Sequence, residues 1–363
     1  MLRACIALVG VLWFAQVVPA GRKAGLEPIH LSDDHRGFIG IRSRSPFIPW
    51  GFNYDRDHQS RLLEDYWETD WPRVEEDFRE MKELGANLVR VHLQFGKFMK
   101  GPGQADPGAI DRLKRLLQLA ERTGLYLDLT GLGCYRKRDV PGWYDQLDEA
   151  GRWAEQARFW EAVAGACVNS PAVFCYDLMN EPVVPGGRRK EGDWLGPPLG
   201  EFHYVQVITL DQKDRPRQDI ARAWAETLAK SIRRVDPHHL ITVGMVDWSL
   251  DRPGLTSGFV PTAVAPALDF LAVHLYPKAG KLDEALEVLR GFAAAGKPVV
   301  IEETFPLACG ADEHRRFLEK SRPHATGWVG FYWGQTPEEL RKSRTIPDAM
   351  TLGWLEEFRK GRP

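Results

Sequence analysis

Four short stretches of this chain hold residues able to do acid–base or nucleophilic chemistry. The apolar run Ala172 to Tyr176 is followed by Asp177, Asn180 and Glu181, and Pro182 ends it. Glu302 and Glu303 close the apolar run PVVIEE. His274 and Tyr276 stand two apart in LDFLAVHLYP, and Arg90 interrupts the β-branched run NLVRVHL. Two separated carboxylate positions can divide a bond cleavage between them. One protonates a leaving oxygen while the other attacks carbon or activates water, as breaking a glycosidic bond requires. A cation inside an apolar strand is costly unless it is paired, so Arg90 is expected beside a carboxylate.

These residues must be carried by elements that bring them together. From Trp71 onward, segments with helical apolar spacing alternate with short apolar runs: WPRVEEDFREMKELG before NLVRVHL, AIDRLKRLLQLAERTG before LYLDLTG, and so on to DEHRRFLEKSR before GWVGFYWG. With FIPWGFNYD as the opening strand there are eight strand candidates, most of them apolar throughout, as parallel strands buried on both faces are. Eight such units predict an α/β fold, a single (β/α)8 barrel spanning residues 21–363. No GxGxxG follows the first strand and no phosphate loop is present, which argues against a dinucleotide-binding sheet. Gly37 to Pro49 is expected to form a hairpin under the barrel. The long interruption Val183 to Arg217, rich in Gly, Pro and charge, is expected on the functional face.

In such a barrel, polar residues at the C-terminal strand ends share one rim. That rim gathers Asn53, Tyr54 and Asp55; Arg90 and His92; Asp128; Asn180 and Glu181; Asp247 and Trp248; His274 and Tyr276; Glu302 and Glu303; and Trp333. With 13 Trp in the chain, flat aromatic faces suit the C–H faces of sugar rings. The 48 basic and 50 acidic residues are balanced and scattered, so no nucleic acid partner is indicated. No CxxC or other metal-type spacing occurs, and no metal or cofactor is expected. Residues 1–20 have a basic start, an apolar run and a Val18-Pro19-Ala20 ending, the layout of a secretory signal. A secreted or periplasmic protein follows, with no stable membrane association after cleavage. An uncleaved anchor is the alternative. The four cysteines beyond that segment allow three pairings, among which the sequence does not choose.

The chain resembles glycoside hydrolase family 5, the cellulase and mannanase family of retaining (β/α)8 glycosidases. The resemblance rests on Asn180-Glu181-Pro182 after the fourth strand, HLYP after the sixth and a Glu after the seventh. It implies that Glu181 is the general acid/base, that Asn180 holds the sugar 2-hydroxyl, and that Arg90, His274 and Tyr276 support the nucleophile. Spacing from Pro298 puts the nucleophile at Glu303. Strand alternation sends Glu302 to the other side, as a buttress or in an ion pair. Trp333 corresponds to the family's sugar-stacking Trp. Tyr54, Trp248 and Trp194 are further substrate-binding candidates, and Trp50 and Trp143 weaker ones. Thr130 stands where many members have His, and Thr304-Phe305 replaces a common aromatic-Gly ending. The implied activity is double-displacement hydrolysis of a β-linked glucan or mannan, or an oligosaccharide from one, by a monomer. A carbohydrate-binding barrel without turnover, or a transglycosidase using the same residues, are the alternatives.

Overall fold

A computed structural model describes residues 25–361. The expected signal, residues 1–20, lies outside the described residues. Eight parallel strands close into a barrel in chain order: β1 (Trp50–Tyr54), β2 (Leu88–Gln94), β3 (Tyr126–Gly133), β4 (Val173–Asn180), β5 (Leu240–Val246), β6 (Leu271–His274), β7 (Val299–Glu303) and β8 (Gly327–Phe331). Around them run α1 (Trp71–Glu83), α2 (Pro107–Thr123), α3 (Glu149–Cys167), α4 (Arg217–Val235), the one-turn α5 (Pro261–Val264), α6 (Leu282–Ala293), α7 (Ala311–Ser321) and α8 (Ile346–Lys360). Every residue of β2, β3, β4 and β5 is buried, which is why those runs are apolar without alternation.

Local signals set the helix ends. Asp106 accepts a hydrogen bond from Gly108 N at 2.8 Å at the start of α2, Pro107 opens it, and Gly124 at φ 71° ends it. The floor is a three-stranded antiparallel sheet, Ile29–Leu31, Phe38–Gly40 and Pro46–Phe47, one strand more than the expected hairpin. Phe38 meets Phe174 and Phe270 edge-on at 5.0 and 5.2 Å, sealing the N-terminal end. Polar strand ends are thereby left to the opposite rim. Cys134, Cys167, Cys175 and Cys309 are free, so none of the possible pairings forms among the described residues. No described helix is long and apolar enough to cross a membrane.

The helical layer closes tightly on the barrel at α8. Trp354 lies over Gly330 of β8 and donates from Nε1 to the Phe331 carbonyl at 3.0 Å. A side-chain carbon built on Gly330 would sit 1.7 Å from Trp354 Cζ2. Gly330→Ala is therefore expected to lower unfolding free energy by about 1–3 kcal/mol through overpacking. Urea denaturation checks this, and an unchanged midpoint would mean that α8 does not seat on β8 as described.

Candidate active site

Arg90, in the middle of β2, is fully buried and joins four strands. Its Nη1 donates to Asn53 Oδ1 at 2.9 Å and Glu303 Oε1 at 2.6 Å. Its Nη2 donates to Asp177 Oδ2 at 2.7 Å and Asn180 Oδ1 at 3.0 Å, with Glu302 Oε2 at 3.3 Å. Gly244 on β5 makes room for this cluster. A side-chain carbon there would lie 2.8 Å from His274 Nε2 and 3.0 Å from both Arg90 Nη2 and Glu302 Oε2.

The two adjacent glutamates of β7 both reach Arg90, which strict alternation forbids. The cause is a register shift: Val273 pairs with Ile301 but His274 with Glu303, leaving Glu302 as an extra residue. Their environments still differ. Glu302 is sealed in the barrel, where burial works against its charge, but Arg90 and His274 outweigh it and hold its carboxyl below the usual range. Asp128 lies beside it. Burial, then the Glu302 charge, pushes the Asp128 carboxyl well up, so the two neighbouring carboxyls are driven in opposite directions. Asp177, raised to about 6 by burial and then by Glu302 against the pull of Arg90, completes the inner group. Thr130 donates to Asp177 Oδ2 at 2.7 Å, so the departure from the family's His falls on this inner layer.

Glu303 instead lines a cavity of about 640 Å³ at the barrel mouth. Arg90 holds its Oε1, and the Tyr276 hydroxyl donates to its Oε2 at 2.5 Å. Glu181 faces the same cavity. Its backbone is left-handed, φ 46°, a conformation that costs of order 1–3 kcal/mol in a non-glycine residue. Bonds on either side hold it there: Glu181 N donates to Gly244 O at 2.9 Å, and its carbonyl accepts from Gln206 N at 3.3 Å. His274 bridges the carboxylates, with Nδ1 at 3.0 Å from Glu181 Oε1 and 3.5 Å from Glu303 Oε2 and Nε2 at 3.3 Å from Glu302 Oε2. Burial alone would favour neutral imidazole, but the Glu303 charge and the hydrogen bonds to Glu181 and Glu302 raise His274 to about 10. His92 behaves oppositely: burial and then the Arg90 charge keep it neutral, hydrogen-bonded to the Tyr135 hydroxyl at 2.5 Å.

Among the aromatic candidates, Trp333 lines the cavity, stacked on Phe331 at 5.3 Å, its Nε1 donating to Asp55 Oδ1 at 3.2 Å. The structure places the others elsewhere. Tyr54 follows the inward-facing Asn53, so the pleat turns it outward, where it is buried and hydrogen-bonds Asp77 of α1. Trp194 is buried behind the rim, its Nε1 on the Asp145 carbonyl at 3.2 Å and Arg152 over its ring at 4.4 Å. Trp248 packs against the cluster of Val183, Trp194 and Val207, away from the cavity. Trp50 stacks on Phe358 near the floor, and Trp143 lies against Phe95. Arg56, Phe202 and Tyr204 line the cavity but carried no pattern that marked them in the sequence, and Phe305, noted only as a departure from the family ending, lines it too. Two groups of acids are close enough to suggest a cation site: Glu181 with His274 and Glu303, and Asp128 with Asp177 and Glu302. Arg90 and His274 already supply the positive charge in both.

The fold and the facing carboxylates place the chain among the (β/α)8 proteins that carry their chemistry on the C-terminal rim. It belongs to glycosyl hydrolase family 5: the family model described as Cellulase (glycosyl hydrolase family 5) matches residues 52–336. A mannan endo-1,4-β-mannosidase A from Podospora anserina is 26% identical over 286 residues, 68% of this chain and 64% of that protein. The chain thus spans less than two thirds of that relative's length. Solved structures share the fold. An exo-β-1,4-mannosidase from Opitutaceae bacterium strain TAV5 is 18% identical with a TM-score of 0.64, covering 91% of this chain and 62% of that one. A β-1,4-mannanase from the sea hare Aplysia kurodai is 18% identical with a TM-score of 0.60, covering 86% and 95%.

His274 generates a pH prediction. Its folded value of about 10 lies above the ordinary value of 6.5. Its charge therefore stabilises fully below about pH 6.5, and that contribution is lost as pH rises through the folded value. The melting temperature should fall between those limits in the wild type and fall less in His274→Gln. Parallel curves for the two proteins would contradict a charged His274.

Proposed function

We propose that the chain is a retaining β-glycoside hydrolase that cleaves β-1,4-linked mannan or oligosaccharides derived from it. The observation that carries this reading is the spacing of the two carboxylates that line the cavity. Glu181 and Glu303 offer oxygens within 4.8 Å of one another across His274. Retaining enzymes hold their carboxyl groups about 5–5.5 Å apart, whereas inverting ones leave about 6.5–9.5 Å for a water. The mannanase relative supports mannan as the polymer.

In the first step Glu303 attacks the anomeric carbon while Glu181 gives its proton to the departing oxygen. Arg90 and Tyr276 each donate to one oxygen of Glu303 and keep it aimed. His274 donates to Glu181 Oε1, which leaves Oε2 to carry the proton. In the second step water attacks the same carbon, Glu181 takes its proton, and Glu303 is released. Asn180, its Oδ1 held by Arg90 and Nδ2 donating to the Tyr204 carbonyl at 3.1 Å, keeps one N–H for a sugar hydroxyl. Trp333 supplies the face on which the sugar ring stacks.

Glu181→Ala should slow glycosides with poor leaving groups by about 10²–10⁴-fold. Activated aryl glycosides, which depart without a proton, should lose far less in the first step. Azide, which needs no general base, should restore turnover on them and yield a β-glycosyl azide. Equal loss on both substrate types, with no effect of azide, would remove Glu181 from the acid/base role.

A further inference from the structure

The segment between β4 and α4 is a hairpin, and its path across the barrel mouth bears on how a polymer can enter. Its root is fixed beside Glu181, where Pro182–Val183 pairs in parallel with Gln206–Val207. Two arms run out from there, with Leu195 opposite Gln206 and Leu199 opposite Phe202. Gly196 lets them approach: its N donates to Val205 O at 2.8 Å, and a side-chain carbon there would lie 2.9 Å from Val205 Cβ. The hairpin crosses the loop after β3, where His203 N donates to Tyr135 O at 2.8 Å.

Its tip reaches the loop after β1, on the far side of the mouth. Phe202 is buried there with Leu62 and Tyr135. The Arg56 guanidinium lies 5.7 Å from the Phe202 ring and 5.3 Å from the Trp333 ring, joining tip to platform. Arg136 sits 5.2 Å from Phe202 and donates to the Ser60 carbonyl and to Asp65, both at 2.5 Å. A segment rooted on β4 and latched at β1 forms a wall along the β1-to-β4 side of the cavity. The cavity takes Leu199, Phe202 and Tyr204 from this wall, and the exposed Leu199 and Leu307 mark its mouth.

Cutting inside a polymer requires a cleft that continues on both sides of the reacting bond. Here one side is walled. Resting on the glycosidase reading above, we propose that the protein acts on chain ends, the hairpin stopping the non-reducing end of the substrate. The direction follows from the order of departure. The leaving group must escape while the other sugar is still tethered to Glu303, so the leaving group occupies the open side and the tethered sugar the walled side. Among the described residues Arg56 spends only Nη1 in hydrogen bonds, on Asp55 and Tyr204, so Nε and Nη2 remain for the hydroxyls of a terminal sugar.

The test incubates the purified protein with β-1,4-mannohexaose and with the same hexaose reduced by borohydride. A single short product of fixed length should accumulate from the first turnovers, at the same rate for both, with the reduced unit staying on the shortened chain. A mixture of all lengths at early times, or failure on the reduced hexaose, overturns end action. If neither hexaose nor an activated aryl β-mannoside is cleaved, the glycosidase reading itself fails. Arg136→Ala, outside the cavity lining, releases the Phe202 tip from Ser60 and Asp65 while leaving Arg56 in place. The ratio of activity on linear mannan to that on the aryl mannoside should rise about tenfold, the factor set by a contact of ~1.4 kcal/mol. Product lengths unchanged from wild type would deny the hairpin its role as the wall.

Discussion

A guanidinium sealed inside a barrel is the constraint on which the rest of this structure depends. Removing an ion from water costs several kcal/mol, and close, well-oriented partners are needed to offset it. Arg90 finds them only when Asn53 on β1, Asp177 and Asn180 on β4, and both glutamates of β7 arrive together. Closing the barrel and assembling the site are therefore one event. Gly244 is part of the same requirement, because β5 must pass the charged cluster without a side chain.

The same cation distinguishes two adjacent carboxylates. Glu302 is fixed among Asp128, Asp177 and His274 with no access to the cavity, and Arg90 and His274 balance the negative charge buried there. Glu303 has Arg90 on one oxygen and Tyr276 on the other, and it faces the space a sugar would fill. His274 touches this inner layer through Nε2 and the outer carboxylates through Nδ1, so the charge of the interior is felt at the mouth.

The barrel was legible because burial on both faces writes strands as continuous apolar runs, and the helices kept their own period. The polar strand ends were legible for the same reason, as interruptions with no other purpose in a core. The register shift at Glu302 was not, since the pairing of β6 with β7 sets it rather than the sequence of β7. Tyr54 illustrates a signal present but unused: an inward Asn53 already implied an outward neighbour. Trp194 looked like a stacking surface, yet aromatic identity does not say which side of a loop a ring faces. The course of the segment after Glu181 was hidden because its anchors, Arg56, Tyr135 and Arg136, come from other loops.

The central claim is that Arg90 holds two neighbouring carboxylates for different purposes, one for the barrel and one for the substrate. Trapping the glycosyl-enzyme with a 2-deoxy-2-fluoro glycosyl fluoride, followed by peptide mass mapping, tests it most directly. The account predicts one equivalent of label, on Glu303, with none on Glu302. Label on Glu302, or continued turnover of an aryl glycoside in Glu303→Ala without an added nucleophile, would contradict it.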